Sequence, residues 1–79
     1  MLTAYIIAAM RRARYKILED NTYYGEIPGF KGVLANAETL EDCRQLLQEV
    51  LEDWLVLGIK LGHELPVIDS IRLAPVEVA

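Results

Sequence analysis

The sequence is poor in the residues that make covalent and metal cross-links. Cys43 is its one cysteine and His63 its one histidine. A disulfide within the chain is therefore impossible, and no zinc site of ordinary Cys/His spacing can form. We expect neither a metal nor another cofactor. A lone thiol fits a reducing compartment, so we expect a cytoplasmic location.

The sequence also lacks an apolar run long enough to cross a membrane. The stretch MLTAYIIAAM covers only residues 1–10, whereas a span needs roughly 20 residues. A signal peptide carries its basic residues before the apolar part, and here they follow it. We therefore expect no membrane partner and interpret the stretch as a helix capped by Thr3. A strand over residues 5–8 is the alternative, because short apolar runs are ambiguous.

An excess of positive charge is missing as well, since the formal net charge is −4. Residues 11–16, RRARYK, still group four of the eight basic residues around a tyrosine, a pattern that is typical of nucleic-acid contacts. The cluster consists of Arg11, Arg12, Arg14 and Lys16. An acidic chain repels phosphate overall, so we do not expect the monomer to bind nucleic acid. Paired clusters in an oligomer remain an alternative.

The chain is one small domain, with 79 residues of which 53% are hydrophobic. We assign residues 1–79 to it, with 1–13 as an N-terminal helical extension and 14–73 as the core. At this length only about 60% of the unfolded surface is buried, so another source of stability is expected. With no disulfide or metal, we expect self-association as a homodimer or a higher oligomer.

Alternation of side chains predicts a three-stranded meander in the first half of the chain. The expected strands are residues 14–20, 22–27 and 32–37. Turn formers separate the first two, and Asn21 can accept a left-handed conformation. Pro28 cannot donate to a ladder, and Gly29 and Gly32 can take positive φ. The chain should therefore turn between the second and third strands.

A long amphipathic helix is predicted over residues 40–61. Thr39 followed by Asp42 matches a capping box, and Gly62 can end the helix in a left-handed conformation. Apolar residues recur at helical spacing: Leu40, Cys43, Leu46, Leu47, Val50, Leu51, Trp54, Leu55, Leu57 and Leu61. We expect Trp54 to be largely buried on this stripe.

The end of the helix, WLVLGIKLG, is apolar nearly all round. Val56 and Ile59 are turned away from the apolar stripe, so we expect them to take part in self-association. A short final strand is predicted between residues 67 and 73. The fold class is therefore α+β, with order β-β-β-α-β after an extra N-terminal helix and one long helix packed on one face of the sheet.

The stretch YYGEIPGF, then Gly32-Val33 with Asn36-Ala37, and then ETLEDC resembles the HicB family of prokaryotic antitoxins. The resemblance covers about residues 14–68. It implies part of a ribonuclease H-like fold and a protein that binds and neutralises a small HicA-like, messenger-RNA-cleaving toxin. The corner at residues 27–32 lacks the second proline of the family. Because the sequence ends at Ala79, we expect no C-terminal DNA-binding domain and no operator binding.

We expect a protein-binding function without catalysis. The partner would dock at an exposed sheet edge and the 28–32 corner, and the residues assigned to this contact are Tyr24, Glu26, Pro28 and Phe30. In an alternative interpretation, Tyr24 and Phe30 simply complete the core. A ribonuclease H-type enzyme needs three or four converging carboxylates, and the acidic residues here lie mostly on the solvent side of the long helix. An orphan self-assembling scaffold is the other functional alternative.

Overall fold

A computed structural model describes residues 2–72 of the chain. Two helices and three strands follow one another in the order α1 (Leu2–Arg11), β1 (Arg14–Ile17), β2 (Tyr23–Glu26), β3 (Leu34–Ala37) and α2 (Leu40–Leu61). The predicted α+β class is confirmed. The N-terminal segment is a helix, so the alternative of a strand over residues 5–8 is wrong. The helix already begins at Leu2, which places Thr3 inside it and not at its cap.

The three strands form one antiparallel sheet in the order β1-β2-β3. Asn21 closes the first hairpin with φ 66°, as its ability to adopt the left-handed conformation predicted. The Asp20 carboxylate accepts hydrogen bonds from the Thr22 hydroxyl at 2.6 Å and the Thr22 amide at 3.0 Å. These two bonds hold the pKa of Asp20 below its usual value because they favour the charged form.

The connection from β2 to β3 consists of two tight turns in succession. The amide of Phe30 donates to the carbonyl of Ile27, and the amide of Val33 donates to the carbonyl of Phe30. Gly29 and Gly32 lie at φ 88° and 90°, a region that other residues rarely adopt. The prediction that these glycines turn the meander is confirmed.

Helix α2 begins and ends as its sequence predicted. The Thr39 hydroxyl accepts from the amide of Asp42 at 3.0 Å, and Gly62 ends the helix at φ 73°. The buried face of α2 consists of Cys43, Leu47, Leu51, Leu55 and Gly58. Helix α2 covers one face of the sheet with these residues, and we call that face the inner face.

Six of the ten residues that the periodicity placed on the buried stripe are less buried than predicted, among them Leu40 and Leu46, which are exposed, and Val50, which is partly buried. Leu57 and Leu61 remain 57% and 58% exposed, and Trp54 is only partly buried. The strands are four residues long, whereas α2 has 22 residues. The last turns of the helix therefore have little sheet beneath them to cover their apolar side chains.

The predicted final strand does not form over residues 67–72. Ile68 and Ile71 pair with each other in an isolated bridge, and the turn between them places Asp69 and Ser70 at φ 48° and 66°. Leu73, the last residue of that prediction, lies outside the described residues. None of the helices in residues 2–72 is long and apolar enough to span a bilayer.

Gly25 lies where the sheet packs against Cys43 of α2. It pairs with Tyr15 across β1 and β2, and its partner on the other side is Ala35. A Cβ at this position would lie 2.8 Å from the Tyr15 ring and 3.2 Å from the Cys43 Sγ. The ring of Tyr15 and the thiol of Cys43 thus fill the space that a larger residue would need.

We expect Gly25→Ala to lower the free energy of unfolding by about 1–3 kcal/mol, because the added methyl overpacks this contact. Chemical denaturation with a double-mutant cycle tests the cause. In a Tyr15→Ala background the same substitution should cost clearly less, since the nearest ring is gone. Equal costs in the two backgrounds would contradict the steric explanation.

Candidate functional site

The face of the sheet opposite α2 is uncovered in the described part of the chain. The strand register places six side chains on this outer sheet face: Arg14 and Lys16 from β1, Tyr24 and Glu26 from β2, and Leu34 and Asn36 from β3. Five of the six are exposed, and Tyr24 is partly buried. Alternation along each strand produces this arrangement, because the intervening residues point towards α2.

Tyr24 is the centre of an ordered row across the three strands. It pairs with Lys16 on one side and Asn36 on the other. The Lys16 ammonium lies 5.2 Å from the centre of the Tyr24 ring, within the range of a cation–π contact. The Asn36 amide nitrogen donates to the Thr22 hydroxyl and to the Tyr23 carbonyl, each at 2.8 Å. These contacts restrict the side-chain conformations of Lys16, Tyr24 and Asn36 in the unbound protein.

A second row consists of Arg14, Glu26 and Leu34, which are paired in register. Opposite charges at Arg14 and Glu26 suit neighbouring positions on adjacent strands. This row borders a shallow cleft of about 410 Å³, lined by Tyr24, Leu34 and residues 26–33. The outer sheet face therefore continues into the β2–β3 corner.

The expectation that a partner would meet Tyr24 and Glu26 at a sheet edge needs correction. Both residues belong to β2, the central strand, whose backbone pairs on both sides. Their side chains lie in the middle of the outer sheet face. A partner can reach them through side-chain contacts but cannot pair with their backbone.

Pro28 and Phe30 differ in accessibility although they belong to the same corner. Pro28 is exposed beside the cleft, whereas Phe30 is 3% exposed. The Phe30 ring makes edge-on contacts with Tyr5 and Trp54, at centroid distances of 6.1 Å and 5.3 Å. Phe30 is thus a core residue, and its ring is not available to a partner. The alternative that the sequence left open holds for Phe30.

The four basic residues of the 11–16 cluster do not form one patch. Arg14 and Lys16 lie on the outer sheet face, whereas Arg11 lines a groove of about 540 Å³ between α1 and α2. Arg12 forms an ion pair with Asp69 at 2.6 Å. The structure brings together only half of the cluster that the sequence suggested.

The two residues predicted for self-association, Val56 and Ile59, differ in their exposure to solvent. Val56 is 60% exposed on the side of α2 opposite its buried stripe. Ile59 is partly buried and packs against the hydrophobic core. Of the pair, Val56 alone presents most of its surface to solvent.

Titratable groups on the inner face are held in their neutral forms. Burial raises the pKa of Cys43, whose thiol lies 3.6 Å from the Ala35 carbonyl oxygen. Burial likewise raises the pKa of Tyr15, and the positive charge of Arg44 offsets part of this shift. Within residues 2–72, no three histidine, cysteine or acidic side chains lie together as a metal site requires.

Sequence reasoning missed the Lys16–Tyr24–Asn36 row and the groove between α1 and α2. The groove combines apolar side chains of α1, among them Ile7 and Met10, with Arg44 and Glu52 of α2. Alternation in β1 and β2 could have placed Lys16 and Tyr24 on one face. Their pairing depends on the hairpin register, which the sequence leaves open when the turn length is uncertain.

Comparisons with known proteins identify a family and a solved structure of the same fold. Residues 4–66 match the UPF0150-like family. The crystal structure of TTHA0281 from Thermus thermophilus superposes with a TM-score of 0.86 at 42% sequence identity, covering 91% of this chain and 90% of that one. No curated protein matches the sequence at a significant level.

The two corner residues provide a direct test of core against surface. Phe30→Ala should reduce the free energy of unfolding by about 3–5 kcal/mol, because it removes a buried ring that contacts two others. Pro28→Ala, two residues away and exposed, should cost much less. Thermal or urea denaturation measures both. A Phe30→Ala variant as stable as Pro28→Ala would place the ring outside the core.

Proposed function

Because the chain belongs to the UPF0150-like family, we propose that it is a non-catalytic, antitoxin-type module that binds and masks a small HicA-like, RNA-cleaving toxin. The observation that carries the proposal is the open outer sheet face with Tyr24 at its centre. A sheet covered by a helix on one side only leaves its other side free for a second protein. The proposed location is the cytoplasm of a prokaryote, where such a toxin would act.

The residue types on the outer sheet face suit protein recognition. Tyrosine and arginine are enriched among the residues that dominate binding energy, and Tyr24 and Arg14 supply one of each. Tyr24 is held by its neighbours, so little side-chain entropy is lost when a partner packs on it. The cleft beside Glu26 and Pro28 offers a recess for a partner side chain.

The charges favour a basic partner. An RNA-cleaving protein must carry positive charge to hold phosphate, and a chain of net charge −4 attracts such a protein at long range. At the contact itself, Glu26 can pair with a partner arginine or lysine. Lys16 already contacts the Tyr24 ring, whose negative face attracts its ammonium group.

The same face offers little for catalysis. Glu26 is the one carboxylate among its six side chains. Hydrolysis of RNA by a ribonuclease H-type mechanism uses several carboxylates around two metal ions. Asp69, which fell within the predicted final strand, lies in a turn and pairs with Arg12.

Capture of a partner from native cell extract, followed by a binding assay with the purified pair, tests the proposal. Tyr24→Ala and Glu26→Lys should each weaken binding by on the order of 2 kcal/mol, roughly thirtyfold in Kd, as expected for central contacts. Val56→Ser is the matched control, because Val56 is exposed on the far side of α2. The captured protein should be small and basic, and it should cleave RNA unless this chain is bound.

Two outcomes would contradict the proposal. Undiminished binding by both outer-face variants would remove this surface from consideration. RNA cleavage by the purified chain alone would overturn the non-catalytic assignment. A salt-dependent shift of RNA mobility by the chain alone would instead support the alternative of a nucleic-acid-binding protein.

A further inference from the structure

Strand β3 is the less protected edge of the sheet. In residues 2–72 it pairs with β2 only, and its sequence is Leu-Ala-Asn-Ala. Natural proteins protect open edges with charged residues, proline or bulges. The opposite edge, β1, carries Arg14 and Lys16, whereas β3 has neither a charge nor a proline. The backbone donors and acceptors along β3 are therefore open to another strand.

An apolar flank of α2 lies on the same side as this edge. Arg44 and Gln48 line the groove with α1, and the charge of Arg44 acts on Tyr15 of β1, so this flank of α2 faces the β1 side of the sheet. Leu46 and Val50 lie on the opposite flank of α2 at helical spacing. Leu46 is 39% exposed and Val50 is partly buried at the rim of the core. An uncharged edge strand thus adjoins an uncovered apolar patch.

The spacing between α2 and the edge matches what a second copy requires. The Cys43 Sγ is 3.6 Å from the Ala35 carbonyl and borders Gly25, so α2 lies above the gap between β2 and β3. Neighbouring strands are about 4.8 Å apart. If β3 pairs with a copy of itself about a two-fold axis, the two α2 axes come to lie about 10 Å apart, which is within reach of ordinary helix packing.

We infer that the chain forms a two-fold dimer through antiparallel pairing of β3 with β3 of a second copy. The three strands of each copy join into one continuous sheet, and the two α2 helices pack side by side at Leu46 and Val50. A four-residue edge alone buries too little for a stable interface, and the helix flank supplies the rest of the area. The small side chains of Ala35 and Ala37 on the inner face allow the helices to approach.

The dimer leaves the proposed toxin-binding surface free. Both copies contribute to one sheet, so their outer faces lie side by side and Tyr24 stays uncovered by the partner in each. A dimer would therefore present two binding faces in one plane. The pairing involves β3 and α2 alone, and it holds or fails independently of the proposed function.

Sedimentation equilibrium tests the inference by comparing the dimer dissociation constants of the full chain and of two variants with substitutions on α2. Leu46→Glu should raise the dimer dissociation constant by at least about tenfold, because it places a charge in the apolar contact between helices. Val56→Glu makes the same chemical change ten residues further along α2, about 15 Å from Leu46 along the helix axis, and should alter the constant by less than about threefold. The opposite ranking of the two variants would overturn the proposed interface, as would a parent protein that is monomeric at high micromolar concentration.

Hydrogen exchange of the parent protein provides a second test that needs no substitution. Amides in residues 34–37 should exchange more slowly at high protein concentration than after dilution, because half of an edge strand's backbone groups gain partners in the dimer. Amides in β1 should show no such dependence. Equal exchange of β3 at both concentrations would overturn the pairing of β3 with a second copy.

Discussion

The packing of Phe30 ties together the parts of this small fold that are far apart in sequence. Its ring contacts Tyr5 of α1 and Trp54 of α2, and it lies in the turn that joins β2 to β3. The Tyr5 hydroxyl donates in turn to the carbonyl of Pro66, which attaches the segment after α2. In a core this small, one aromatic cluster holds both helices and the corner in place. The shape of the corner, and hence of the cleft beside Pro28, depends on that cluster.

Because α2 covers only one face of the sheet, the residues of the two faces have different roles. The inner face must pack against α2, so it carries small or apolar residues such as Gly25 and Ala35. The outer sheet face has no such constraint, and it carries an aromatic ring, charges and an amide. Since folding does not require these particular residues there, the outer sheet face is where the sequence is free to encode recognition. The edge strand β3 is a third surface, and its backbone is available for self-pairing.

The sequence predicts the elements of this fold well where local rules decide them. The caps of α2 and the turn at Asn21 follow from side-chain chemistry within a few residues, and both are confirmed. The burial of Phe30 and Leu57 and the conformation of residues 67–72 depend on contacts with residues that are distant in the sequence. Periodicity places Leu57 on an apolar stripe, but the sheet is too short to cover that part of the helix. The sequence around Phe30 is compatible with a core residue or an interface residue, and only its contacts with Tyr5 and Trp54 place it in the core.

The distribution of charge refines what net charge alone suggests about a partner. Many of the acidic side chains lie on the solvent side of α2, where Glu41, Glu49 and Glu52 border a shallow groove. The outer sheet face carries Arg14 and Lys16 against one carboxylate, Glu26. The acidic side chains of α2 lie on the side of the molecule opposite the outer sheet face, farther from a partner there than the screening length of about 8 Å at physiological salt, so they act on it only weakly. The acidic helix can speed the approach of a basic protein at low ionic strength, but discrimination at contact must come from Tyr24, Glu26 and the corner cleft.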